Sequence, residues 1–204
     1  MDSQSYLNEI SATVRPQTKP KFNFMKSKFV LVGAICLGGL ILMAIIGNVL
    51  SGNRSGVKEQ TLTLQYRLSN TSKAISNYQK SIKSSDLRSS SASLSGIVSN
   101  TDRDLSSYID ETYKKQNAKL SEKTEKNEDD HYAALDAELF EAKINGILDR
   151  IYAHKMDYEI SLLLAMEKKL YDAASNDDLK NILNTSYDSL ANLQNKFANF
   201  SEAN

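Results

Sequence analysis

A chain of 204 residues has room for one modest domain beside a membrane segment, and 41% hydrophobic with 25% charged side chains is the balance of a folded protein, not a disordered one. Zero formal net charge argues against a general nucleic-acid footprint, so no nucleic-acid partner is expected. The single cysteine, Cys36, excludes an intramolecular disulfide and a cysteine metal site.

Residues 1–28 carry Arg15, Lys19, Lys21, Lys26 and Lys28 against Asp2 and Glu9, with Pro16 and Pro20 and no periodic apolar face. They read as a short basic tail. Residues 29–50, FVLVGAICLGGLILMAIIGNVL, then run without a charge. At about 1.5 Å per residue this segment is long enough to cross a hydrocarbon core of about 30 Å as one helix. The five basic residues ahead of it outnumber Arg54 and Lys58 behind it. By the positive-inside rule the tail is expected in the cytoplasm and everything after Leu50 outside the cell membrane, with lipid as the first partner. Ala34 and Gly38 form a small-xxx-small pair through which two such helices can pack closely. Ile35 before Cys36 speaks against a lipoprotein cleavage site, and Val49-Leu50-Ser51 is a poor signal-peptidase site, so an uncleaved signal anchor is expected.

Residues 51–56, SGNRSG, form a flexible linker in which Ser55 is a candidate N-cap. Residues 57–201 are expected to form the extracytoplasmic domain. No proline occurs after Pro20, which favours long helices. From Val57 a heptad stripe runs through Leu64, Leu68, Ile75, Tyr78 and Ile82, with Thr61 and Thr71 in the same seam. Lys58, Arg67, Lys73, Lys80 and Lys83 surround it, as a solvated face, a face paired inside the bundle, or a patch for anionic polymers. The serine-rich stretch 84–95 is the natural first corner, although helix could resume within it. A second stripe follows at Leu94, Val98, Leu105, Tyr108, Ile109 and Tyr113, with Asn100, Thr101 and Asp104 as local caps or bends.

Residues 114–130 contain Leu120 as their one large apolar residue and read as a frayed end or mobile connection. From His131 the stripe strengthens through Tyr132, Leu135, Leu139, Ile144, Ile147, Leu148, Ile151, Tyr152, Met156, Ile160, Leu163, Met166 and Leu170, a helix that Gly146 bends or breaks, with Asp129 or Asp130 as its cap. Residues 175–178, SNDD, end it and open a last helix striped by Leu179, Ile182, Leu183, Tyr187, Leu190, Leu193, Phe197 and Phe200. The expected fold is therefore all-α, an N-terminal transmembrane helix followed by an antiparallel four-helix bundle with long helices. Residues 54–120 hold 11 basic and 6 acidic side chains, and 129–178 hold 5 and 12. These halves complement one another within one bundle or between two copies.

Candidate chemistry is sparse. Glu128 and His131 make one Glu-x-x-His pair, but a di-iron bundle needs two, and His154 has Ile151 where the second glutamate belongs. No phosphate-cradling glycine loop and no G-x-S-x-G occurs. No enzyme activity, metal or cofactor is expected. The sequons at Asn53, Asn70, Asn184 and Asn199 are about as many as chance provides in so Asn-, Ser- and Thr-rich a chain. Tyr108, Tyr113, Tyr132, Tyr152 and Tyr158 are candidates for lining a small-molecule or glycan site, although tyrosines at bundle seams usually pack.

The layout of basic tail, signal anchor, short linker and Lys/Ser/Asn-rich helical ectodomain resembles uncharacterised single-pass proteins of small-genome, surface-dwelling bacteria. It is also similar to chemoreceptor ectodomains, but no second membrane span or signalling region is expected after Phe200 and the 28-residue tail is small for an output domain. The expected function is contact with protein partners or self-association, as a scaffold or accessory subunit of a cell-envelope complex. The alternative is a sensor-like, ligand-binding bundle.

Overall fold

A computed structural model describes residues 54–114 and 118–200. The expected tail, with its five basic residues, and the expected membrane helix, with Ala34 and Gly38, lie outside the described residues. Among those described, no helix is long and apolar enough to cross a membrane. The described chain is all-helical: α1 (Arg54–Tyr78), a 3-10 turn (Gln79–Ser81), α2 (Ser85–Tyr113), α3 (Glu122–Ile144), α4 (Leu148–Ala173) and α5 (Asp177–Ala198).

The helices form where the apolar stripes run, and they end for identifiable reasons. Thr61, Leu64, Leu68, Thr71, Ile75, Tyr78 and Ile82 are all buried, so the first stripe faces the core as its spacing requires. Neither glycine nor proline stops α1. Ile82 turns extended, and a distant carboxylate takes over, with Asp149 accepting from the backbone N–H groups of Lys83 (3.0 and 3.1 Å) and Ser84 (2.7 Å). Ser84 then caps α2 by accepting from the Leu87 N–H. The serine-rich stretch expected as a corner is therefore mostly helix, and the corner falls just before it. Serines at 90 and 91 suit the interior because they let neighbouring helices come close, and Ser91 hydrogen-bonds Tyr152 (2.6 Å).

The third expected helix divides in two and begins earlier. Ser121, not Asp129 or Asp130, caps α3, accepting from the Thr124 N–H, and Glu122 and Glu125 sit in the positively polarised first turn. Local capping thus carries helix through a segment whose apolar content is too low to announce one. At the other end Gly146 adopts φ +73°, and its N–H reaches the Lys143 carbonyl (3.3 Å) while the Ile147 N–H reaches Ala142 (3.0 Å). This is a Schellman ending, and the helix stops there because glycine enters the left-handed region at little cost. Asn176 caps α5, accepting from the Leu179 N–H (2.9 Å), as the SNDD stretch implies.

Side-chain bonds give the directions of packing. Gln65 meets Asp102 and Ser72 meets Ser99, so α1 and α2 are antiparallel. Glu167 meets Ser186, and Asp157 and Ser161 meet Gln194, so α4 and α5 are antiparallel too. Helices α1, α2, α5 and α4 pack pairwise around a common core that contains Leu64, Leu68, Leu105, Met156, Ile160 and Leu190. Helix α3 lies outside this ring against α1 and α4. It runs parallel to α1, with Tyr66 on Asp129 and Tyr78 on Asp136, and antiparallel to α4, with His131 on Glu159.

Candidate functional site

Two features stand out against this packing, a charged network inside the body and an uncovered surface at one end. The network joins α3 to the ring. Arg67, 1% exposed, projects from the α1 seam and donates from Nη2 to Glu128 Oε1 at 2.8 Å. Its Nη1 lies 3.6 Å from Glu159 Oε2 and 3.4 Å from His131 Nε2, and that imidazole nitrogen is 2.7 Å from Glu159 Oε1. The Arg67 carbonyl accepts from Thr71 Oγ1 and from the Tyr132 hydroxyl, both at 2.9 Å. Burial pulls the guanidinium's pKa down, but Glu128 and Glu159 raise it further, so the net direction is upward and the cation is secure. Burial also drives the Tyr132 hydroxyl far above the usual phenol range, which keeps it a neutral donor. One guanidinium thus serves carboxylates from two helices, although Arg67 Nε and one oxygen each of Glu128 and Glu159 have no hydrogen-bond partner among the described residues.

The Glu128-x-x-His131 pair does face inward, but the cation it meets is Arg67. No group of three or more His, Cys, Asp and Glu side chains among the described residues is placed to hold a metal ion. Of the basic residues around the first stripe, Arg67 is the one paired inside the bundle, whereas Lys80 and Lys83 are exposed. A second interior carboxyl, Glu167, is 1% exposed and accepts from Ser186 (2.6 Å), which in turn accepts from Thr101 (2.9 Å). Desolvation pushes its carboxyl up to about 8.

The surface feature lies at the end where α1 hands over to α2. A cleft of about 1110 Å³ opens among the start of α2, the α3–α4 turn and the end of α5. Lys83, Lys143 and Lys196 line it from three separate segments, with Ser84, Ser85 and Ser89 between them. Asp149 is on its wall, committed to the Lys83 and Ser84 N–H groups. Beside it, Phe140 (57% exposed), Ile144 (68%) and Ile147 (36%) stand in solvent. The spacing predicts Ile144 and Ile147 on the seam, but Ile144 lies away from the side of α3 that buries Leu135, Leu139 and Ala142, and Ile147 follows the break in helical phase at Gly146.

The five tyrosines considered for ligand binding do not gather. Tyr152 is in the core, Tyr132 belongs to the arginine network, Tyr108 and Tyr113 stack edge to face at 6.0 Å, and none of the five lines the cleft. The cleft lysines were legible individually as basic residues, but their convergence needs the fold. Scans against protein-family models, curated proteins and solved structures give no match to this chain.

Proposed function

We propose that this chain is a non-enzymatic, membrane-anchored helical module that works through protein contact, as a scaffold or accessory subunit of a cell-envelope complex. The observation that carries this reading is the exposed row Phe140, Ile144 and Ile147 on an otherwise well-buried helical body. Apolar side chains clustered in solvent are costly unless something covers them, and they characterise contact surfaces. The interior charges accord with the same reading, since the buried Arg67 is engaged by Glu128 and Glu159 and ties α3 to the ring. The proposed anchor is residues 29–50, entered from a basic cytoplasmic tail, with Ala34 and Gly38 available for helix packing and residues 57–201 outside.

The test is to extract membranes of cells carrying the full-length protein, first with alkaline carbonate and then with mild detergent. The protein should stay in the carbonate pellet and leave detergent in a complex of reproducible stoichiometry. Release by carbonate would remove the anchor, and a monomer under every mild condition would remove the contact role. A ligand-binding bundle is the second reading, favoured by the volume and lysine lining of the cleft. It predicts a rise in melting temperature with anionic metabolites.

A further inference from the structure

We propose that the α3–α4 corner is a docking surface for an acidic, amphipathic segment of a partner protein. Its apolar residues cover Phe140, Ile144 and Ile147, and its carboxylates enter the lysine cleft. This proposal rests on the protein-contact reading above and specifies its surface.

Three of the four large hydrophobic side chains that are exposed among the described residues fall between positions 140 and 147. The buried side of α3 is set by Glu128, Leu135, Leu139 and Ala142. At about 100° per residue Phe140 and Ile144 share the opposite side, with Lys143 between them and the buried side and Glu141 on the other flank. The row therefore has one basic and one acidic edge, and the basic edge leads into the cleft. There Lys83, Lys143 and Lys196 have no carboxylate within 4.0 Å among the described residues. The buried carboxylate nearby, Asp149, is taken by backbone donors, and Asp86 alone remains as a second acidic group on the lining. The surface is thus apolar beside a concavity in which three lysines outnumber two aspartates.

Charge decides the occupant. Two copies meeting symmetrically with their α3 helices antiparallel would bring one basic edge against the other, which opposes association. Among the described residues a second copy offers one further exposed large hydrophobic, Tyr171, over whose ring Lys180 sits at 5.4 Å. An anionic bilayer shares the chemistry of lysines beside apolar groups. A lipid adduct at this row, in place of a protein adduct, would identify the bilayer as the occupant. An acidic protein segment satisfies both parts of the surface.

The test places a photo-crosslinking benzoylphenylalanine at Ile144 in the full-length protein in its own membrane, with the same residue at exposed Ala92 of α2 for comparison. At Ile144 the expected product is an adduct with one other protein, whose linked peptide carries Asp or Glu beside apolar residues. The triple change Lys83→Glu, Lys143→Glu, Lys196→Glu should lower its yield about tenfold. The corresponding triple change to Arg should keep it, and Glu141→Lys should leave it unreduced. All four altered residues are exposed, and circular dichroism verifies folding of each variant. An adduct at Ala92 but not at Ile144 would overturn this surface and leave the contact reading standing. No protein adduct at either position, together with a monomer in mild detergent, would overturn both. A second copy or lipid as the sole adduct at Ile144, or a yield indifferent to the lysine changes, would also overturn the proposal.

Discussion

Arg67 shows how much depends on one side chain. Removing the guanidinium would leave Glu128 and Glu159 buried without their cation, and breaking such a pair costs about 3–5 kcal/mol. Arg67→Met should therefore lower the unfolding free energy by about that amount in urea titrations of the purified protein. Replacing the cluster together, with Glu128→Leu and Glu159→Leu added, should recover much of the loss, because an apolar trio carries no desolvation penalty. Glu167 makes a separate prediction through pH. Its folded pKa of about 8 lies above the ordinary carboxyl value of 4.5, so the unfolded chain ionises first. The associated stability is fully present below about pH 4.5 and is lost as pH rises towards 8, at about 1.4 kcal/mol per unit. Glu167→Gln should therefore gain stability relative to the parent between pH 5 and 8 and show little difference near pH 4. Melting the two proteins side by side across that range checks the sign. The sequence marks Arg67 as basic and Glu167 as acidic, but a one-dimensional pattern does not say whether water or a carboxylate from a helix 61 residues away meets the charge.

Among the elements, the stripes of α1, α2, α4 and α5 were legible because each buries one face, and seam positions such as Leu68, Leu94, Ile160 and Leu190 are in the core. Helix α3 was half legible. Its upstream half buries Glu128, not an apolar residue, and is held by Tyr66–Asp129, Thr124–Glu59 and the arginine network, none of which leaves a hydrophobic period. The corner before α2 was misplaced for a related reason, since Asp149 terminates α1 from far along the chain. The break at Gly146 is the element-scale feature most open to test. A Cβ there meets nothing within 4 Å, so Gly146→Ala carries only the cost of a left-handed backbone at alanine, about 1–2 kcal/mol. The urea midpoint should fall accordingly, while the core bonds of Tyr152 and Tyr78 are left in place. A gain in stability would mean that α3 and α4 can join as one helix.

At the scale of the molecule, complementary halves describe the charge pattern only in part. Arg67–Glu159 crosses between them, Glu128 falls in the segment that joins them, and Lys155–Glu138, Lys168–Asp172 and Arg103–Asp104 each lie within one half. Three basic side chains, Lys83, Lys143 and Lys196, line the cleft beside the exposed apolar row. That concentration was not legible, because Lys83, Lys143 and Lys196 come together only through the return of α2 and α5 to the α3–α4 turn. The proposed role assigns this placement of charges and apolar groups to contact with another protein. Crosslinking of the full-length protein in living cells, with mass spectrometry of the products, tests that claim most directly. The account predicts recurrent links from the lysines of the α3–α4 corner to one defined partner. Links confined to single copies of the chain, under conditions that capture known membrane complexes, would contradict it.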